Sequence, residues 1–185
     1  KNTSLKNNAT QKPYVFMIAT LWGSNGAHTN RKRKAFIELV KSQECAFEGG
    51  FFIKEATKEN EAYLPFSFKE SYSSAQYLEK TKQSIFVFNT PAVHNCHGWK
   101  LAEYLAMGKA IISTPLSNEI PEKLQHTENI HIVSNDAELE LAVTSLINDS
   151  SYRKTLGKNA RLYFEAFVRP TAVIHTILTQ ILDKN

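Results

Sequence analysis

Apolar residues along this chain recur in two alternating patterns, compact runs of strand length and stripes at helical spacing. Tyr14-Val15-Phe16-Met17-Ile18-Ala19 is the first run, and the stretch from Trp22 to Asn30, which holds Gly23 and Gly26, reads as a Gly/Asn-rich loop. Ala35, Phe36, Leu39 and Val40 then repeat at helical spacing from Lys32 to about Ser42. Phe47 to Ile53 resumes as a strand broken by Gly49-Gly50. From Lys54 to Phe68 the chain is polar and contains Pro65, so it reads as a loop carrying one short element. Tyr72, Ala75 and Leu78 predict a helix over Ser71 to Lys82, and Ile85-Phe86-Val87-Phe88 predicts a compact strand.

The stretch from His97 to Pro115 carries the most information. A helix here places Leu101, Tyr104, Leu105 and Gly108 on one face and Trp99, Ala102, Glu103 and Ala106 on the other, since residues three or four apart share a face. The first stripe packs. The second presents one carboxylate and one aromatic ring beside small alanines, which lets a flat molecule approach closely. Gly108 ends the helix, and Ala110 to Ser113 continues as a short strand buried on both faces. Ile130-His131-Ile132-Val133 predicts another strand. Asn135, with Glu138 three residues later, has the pattern of a capping box ahead of Leu139, Ala142, Val143, Leu146 and Ile147. Leu156, Ala160, Tyr163, Phe164 and Phe167 form a further stripe, Pro170 interrupts it, and Val173, Ile174, Ile177, Leu178, Ile181 and Leu182 form the last.

Alternating strands and helices imply an α/β class: a parallel sheet with helices on both faces, wound right-handed, with helices dominating the C-terminal end. Ligands of such sheets bind beyond the C-terminal strand ends. That rule selects the loops after the first strand, after Phe88 and after Ser113.

A length of 185 residues with 42% apolar content suits one domain with a normal core, expected over 13–185 behind a polar leader or linker at 1–12. The start at Lys1 without a methionine suggests a piece of a longer protein. No apolar run approaches the roughly 20 residues that span a bilayer, and no secretory signal pattern is present, so a cytoplasmic location is expected. Cys45 and Cys96 offer neither a disulfide framework nor zinc spacing and are expected to be free thiols. The triplets Asn2-Thr3-Ser4, Asn8-Ala9-Thr10 and Asn148-Asp149-Ser150 match the glycosylation sequon, which matters only in a secretory compartment. Net charge is +4, with Lys12 and the run Arg31-Lys32-Arg33-Lys34 concentrated in the first quarter, so an anionic partner is expected. No RNA-recognition aromatic motif or zinc-finger spacing accompanies that run, so no nucleic-acid role is expected. The plain alternative is the charged outer face of an amphipathic helix.

The segment from about Asn95 to Glu122 resembles the C-terminal, donor-binding half of the GT-B glycosyltransferases, the large retaining family labelled group 1. In that family a Glu, seven intervening residues and a second Glu are followed by Ala-Met-Ala-x-Gly-x-Pro-Val-Ile and later by Gly-Gly-x-Pro-Glu. Here Glu103-Tyr104-Leu105-Ala106-Met107-Gly108-Lys109-Ala110-Ile111-Ile112 is similar to the part that starts at the second Glu, and Ile120-Pro121-Glu122 to the last. Ser151 to Gly157 and Asn159-Ala160-Arg161 resemble the family's penultimate helix.

The resemblance implies a Rossmann-like GT-B half that binds a nucleoside-diphosphate sugar as donor substrate, with no cofactor. Glu103 is then the carboxylate that accepts hydrogen bonds from the ribose hydroxyls, a charge-assisted contact an ionised carboxylate can make twice at once. Gly98, Trp99 and Lys100 fall where unpaired N–H groups open the helix, which suits a diphosphate. Only three aspartates occur, Asp136, Asp149 and Asp183, so the Asp-x-Asp metal motif is absent and no metal is expected. In its place the family uses an Arg and a Lys after the first strand of this half. Arg31 and Lys32 are the nearest match, with Arg33, Lys34 and His28 as alternatives in the same stretch. Such fixed cations would stabilise the departing phosphate.

One departure stands out. Asn95 occupies the position of the family's first Glu, which contacts the donor sugar. An amide hydrogen-bonds hydroxyls but carries no negative charge beside an oxocarbenium-like transition state, so sugar preference or activity should differ. His94, Cys96 and His97 share that loop. The resemblance implies an enzyme that transfers a sugar to a glycan or lipid-linked acceptor, as in cell-surface polysaccharide synthesis, and admits peripheral membrane association of the full-length protein. Acceptor contacts and catalytic residues of the other half would lie in an N-terminal partner domain, so this chain alone is expected to transfer nothing. A non-catalytic nucleotide-binding or regulatory α/β module with a degenerate donor site is the alternative that Asn95 supports.

Overall fold

The computed structural model describes residues 12–183. The polar leader up to Gln11, with the sequons at Asn2 and Asn8, lies outside the described residues. The first apolar run forms β1 (Tyr14–Thr20), which pairs in parallel with β2 (Ala46–Phe52), and β2 pairs in parallel with β3 (Ser67–Phe68). A second parallel set follows in the order β4 (Val87–Asn89), β5 (Ile111–Ser113) and β6 (His131–Ile132).

The two sets meet at β1 and β4. Ser84 lies between them: its hydroxyl accepts from the Phe16 N–H at 3.0 Å and donates to the Phe86 carbonyl at 2.6 Å. One residue on, the Ile85 N–H donates to the Tyr14 carbonyl at 2.8 Å. A side chain thus supplies a bond that a regular ladder would take from backbone. The strand sequence across the seam, β3-β2-β1 then β4-β5-β6, reverses direction at β1/β4, which is the topological switch point where open α/β sheets bind ligands.

Side chains alternate cleanly across this sheet. Phe86, Phe88 and Ile112 enter a core shared with Phe36, Ile37 and Val40 of α1 (Ala27–Ser42) and with Leu139, Val143 and Leu146 of α4 (Asp136–Asn148). Between them, Val87 and Ile111 face the opposite side, toward Leu101, Tyr104 and Leu105 of α3 (Trp99–Ala106) and Ala160 and Tyr163 of α5 (Ser150–Tyr163). On that second side α2 (Ser74–Gln83) brings Tyr77 against Phe16. The parallel α/β architecture expected from the sequence is therefore present, with helices on both faces.

Three boundaries differ from the sequence expectation. The region expected to be loop up to Asn30 turns helical at Ser24–Gly26 and continues as α1 from Ala27, because Asn30 clamps the chain: its amide donates to the Trp22 carbonyl at 2.7 Å and its oxygen accepts from the Trp22 N–H at 3.1 Å. β2 runs unbroken through Gly49 and Gly50. Both have φ above 100°, and a Cβ would lie 2.1 Å from the Met17 carbonyl oxygen at Gly49 and 2.1 Å from that of Phe66 at Gly50, so the glycines admit close backbone neighbours on both edges. The polar stretch 54–68 holds a 3-10 helix at Glu61–Phe66 and the short β3.

The stripe after Pro170 forms α6 (Pro170–Leu182), entered through a single π-helical turn at Phe164–Val168. Ile174, Ile177, Leu178 and Leu182 are exposed there. Among the described residues no helix is long and apolar enough to cross a membrane. Cys45 is half-buried and Cys96 exposed, both as free thiols.

Removing the seam hydroxyl leaves a buried N–H and a buried carbonyl without partners. Ser84→Ala should therefore lower unfolding stability by about 2–4 kcal/mol, read as a shift of the urea midpoint at constant m. A loss below about 0.5 kcal/mol would mean that the seam is held by other contacts.

Candidate functional site

At the C-terminal ends of β1 to β4 the chain encloses a cleft of about 560 Å³. Its floor is the switch point itself, Met17 to Thr20 and Phe88 to Thr90, and one wall is the N-terminal end of α3, with Gly98, Trp99 and Lys100. Gly98 is the N-cap of α3, has extended backbone, and makes no side-chain cap; the Leu101 N–H donates to its carbonyl at 3.1 Å, which leaves the Trp99 and Lys100 N–H groups as the ones that open the helix without an intrahelical partner.

Two cations line this end. Arg33, from the second turn of α1, donates through Nε to the Thr90 hydroxyl at 2.9 Å and through a terminal nitrogen to the Thr20 carbonyl at 3.3 Å. Lys100 donates from Nζ to the Ile18 carbonyl and stands 5.5 Å from the centre of the Tyr77 ring and 5.9 Å from that of Trp99. Among the described residues neither forms an ion pair with a carboxylate. Burial lowers Lys100 to about 8, helped by the nearby Arg33 charge and opposed by Glu103. Burial likewise brings Arg33 down to about 10. Two desolvated cations without an ion-pair partner beside a helix N-terminus are an arrangement that favours an anion.

Glu103 is half-buried one turn into α3, beside this end rather than lining it. Its Oε2 is buried without a hydrogen-bond partner, as is the hydroxyl of Tyr77, which does line the cleft. Burial raises the Glu103 carboxyl above its usual range, while Tyr77 and Lys100 pull it back. Burial also pushes the Tyr77 hydroxyl up to about 12, so it is neutral and able to donate. The faces of α3 fall as expected: Leu101, Tyr104 and Leu105 are buried, whereas Trp99 and Ala102 are exposed.

The far end of the cleft, over β2 and β3, is aromatic. Phe52 and Phe68 lie 6.0 Å apart by ring centres, and Phe68 and Tyr72 5.7 Å. Tyr72 is fixed from behind by Glu48, which accepts from Tyr72 at 2.9 Å and Tyr14 at 2.7 Å and pairs with Lys80 at 2.6 Å. Burial alone would raise Glu48, but those three donors hold it below the usual carboxylate range.

No protein-family model and no curated protein sequence matches this chain. Among solved structures it is similar to the C-terminal domain of the group 1 glycosyl transferase LpcC from Francisella tularensis, at 18% identity and a TM-score of 0.56, covering 83% of this chain and 84% of that one. It is also similar to sucrose-phosphate synthase from Thermosynechococcus elongatus, at 16% identity and a TM-score of 0.58, covering 94% of this chain and 46% of that one. The fold is that of a GT-B C-terminal half.

Within this fold the structure brings together only part of the residue set read from the sequence. Gly98, Trp99 and Lys100 line the cleft, and Glu103 adjoins it through Tyr77 and Lys100. Arg31 is exposed on α1, and Lys32 is turned away to Asp136 of α4 at 2.9 Å. Arg33, one of the alternatives in the same stretch, is the one that lines the cleft. The sequence did hold a signal for this: Arg33 precedes Phe36, Ile37 and Val40 by three, four and seven residues, so it continues the buried face of α1. Asn95 also lies outside the cleft lining. It is exposed at φ 58°, next to His94 at the same angle, and its carbonyl accepts from the Ser117 hydroxyl at 3.0 Å. Among the described residues no cluster of three or more His, Cys, Asp or Glu side chains is placed to hold a metal ion. The aromatic wall went unread because β3 and the turn after it sit in the polar stretch.

Lys100 gives the site a defined pH response. Its charged form is present below about pH 8 and lost above it, so affinity for inorganic pyrophosphate should fall by roughly threefold to tenfold over the next pH unit. Titration calorimetry at constant ionic strength measures this, with Arg33 still charged over that interval. A Lys100→Gln variant should bind more weakly and lose the decline; a decline that persists in the variant would assign it to another group.

Proposed function

We propose that this cleft binds the nucleoside diphosphate of a sugar donor and that the protein containing this chain transfers the sugar. The observation that carries the reading is the pair Arg33 and Lys100, neither in an ion pair among the described residues, set with the α3 N-terminus at the switch point. In this reading the diphosphate lies against those groups, and the charge that develops on it as the glycosidic bond breaks meets cations already in place. Their geometry is fixed by Thr90, Thr20 and Ile18, so little reorganisation accompanies the reaction. In this reading the Glu103 carboxylate, beside Tyr77 and Lys100, accepts from the vicinal hydroxyls of a ribose. The solved similar structures support a glycosyltransferase fold, and the residues present fit a donor rather than an acceptor.

Acceptor contacts and any further catalytic group belong, in this reading, to an N-terminal half. The chain by itself should bind donor weakly and show no transfer.

Asn95 favours a second reading, a nucleotide-binding module without catalysis, because it puts an uncharged, outward-turned residue where the group 1 pattern has an acid. In the full-length protein, vigorous transfer that Asn95→Glu leaves unchanged would remove that alternative.

The donor reading is tested by thermal melting of the chain with UDP, GDP, ADP and CMP. At least one diphosphate should raise Tm with a concentration dependence that follows mass action. Lys100→Gln should abolish the rise and Glu103→Ala should reduce it. If no diphosphate shifts the wild-type chain, the cleft is not a donor site.

A further inference from the structure

The cleft carries opposite charges at its two ends. Arg33 and Lys100 stand over β1 and β4, whereas the far end, beyond β3, presents Glu70, the one carboxylate among the described lining residues. Glu70 is exposed, follows directly on the Phe68 region of the wall, and forms no ion pair among the described residues. Its Oε2 accepts from the Tyr72 hydroxyl at 3.2 Å, a bond secondary to the 2.9 Å contact the same hydroxyl makes with Glu48. Its Oε1 has no hydrogen bond among the described residues. Between the two charged ends run the rings of Phe52, Phe68 and Tyr72.

A ligand for such a cleft is anionic at one end, flat in the middle, and rich in N–H donors at the other. On the diphosphate reading above, the flat end is the nucleobase, and the carboxylate discriminates among bases. A carboxylate only accepts, and two parallel N–H bonds to its two oxygens are the strong arrangement. Guanine offers N1–H and the exocyclic N2–H side by side, with no acceptor between them. Adenine sets its amino group beside the N1 acceptor, cytosine sets its amino group beside the N3 acceptor, and uracil flanks N3–H with two carbonyls. Each of these three would turn a lone pair toward Glu70.

We propose that the donor of this site carries guanine, read by Glu70 against the Phe52–Phe68–Tyr72 wall. Ser71 and Ser74 line the same end, and their hydroxyls are donors for guanine O6. Tyr72 supplies ring surface for the base, with its hydroxyl 3.2 Å from Glu70. Because Glu48 anchors Tyr72 and pairs with Lys80, the ring beside Glu70 is tied to β2 and α2.

Titration calorimetry of the chain with GDP, IDP, UDP, ADP and inorganic pyrophosphate tests this. GDP should bind about tenfold or more tighter than UDP or ADP, and IDP, which lacks the exocyclic amine, should lose most of that advantage. Glu70→Gln should weaken GDP by about tenfold while UDP and pyrophosphate stay within about twofold, with circular dichroism showing that the variant is folded. UDP or ADP binding as tightly as GDP, or a guanine preference that survives Glu70→Gln, would overturn the assignment and leave the diphosphate reading standing. Failure of every diphosphate and of pyrophosphate to bind would overturn both.

Discussion

The position of the cleft depends on one hydroxyl group. Ser84 joins two three-stranded sheets by accepting from β1 and donating to the carbonyl just ahead of β4. It is also the residue that ends α2, and the Lys109 ammonium, donating to the Lys82 and Ser84 carbonyls, neutralises the same helix end. Helix end, strand seam and the turn that follows α3 are thereby held at one point. Above that point β1 and β4 have no ladder between them, and the chain leaving each strand turns to a different face of the sheet. The crevice between the departing loops is the cleft. In this way a bond in the floor decides where a ligand can enter.

Packing of α5 completes the frame from behind. Gly157 approaches Gly108 so closely that a Cβ would lie 2.4 Å from the Gly108 carbonyl oxygen, and Arg161 donates to the Ala106 carbonyl at the end of α3. The helix that carries Lys100 and Glu103 is therefore pinned at its C-terminal end, and its N-terminal end is left free for the ligand. Rigid support at one end with unpaired donors at the other is the arrangement that preorganised binding requires.

Most of the frame was legible in the sequence because it rests on periodicity. Apolar runs at Tyr14 and Ile85 and the stripes of α3 and α4 all report local burial, and burial follows spacing, while the break at Pro170 reports the missing N–H of proline. Asn135 caps α4 as its pattern indicates, accepting from the Glu138 N–H at 2.9 Å. What escaped reading depends on partners distant in sequence. The early start of α1 comes from the Asn30 clamp on Trp22, and continuity of β2 through two glycines comes from neighbouring backbones on both sides. The choice among Arg31, Lys32, Arg33 and Lys34 is a matter of rotation, since successive residues differ by about 100° around a helix. Only the placement of Phe36, Ile37 and Val40 against the sheet fixes which one meets the cleft. Glu70 lies in a stretch where no periodicity exists to be read, and its significance appears only when β3 brings it beside the rings.

Lys100 shares its surroundings with Arg33 and is held in a position that favours the neutral amine more than water does. In the donor reading proposed above, an arriving diphosphate reverses that preference. Binding near neutral to mildly alkaline pH is then also a proton uptake, drawn from the buffer, and the heat of binding depends on which buffer supplies the proton.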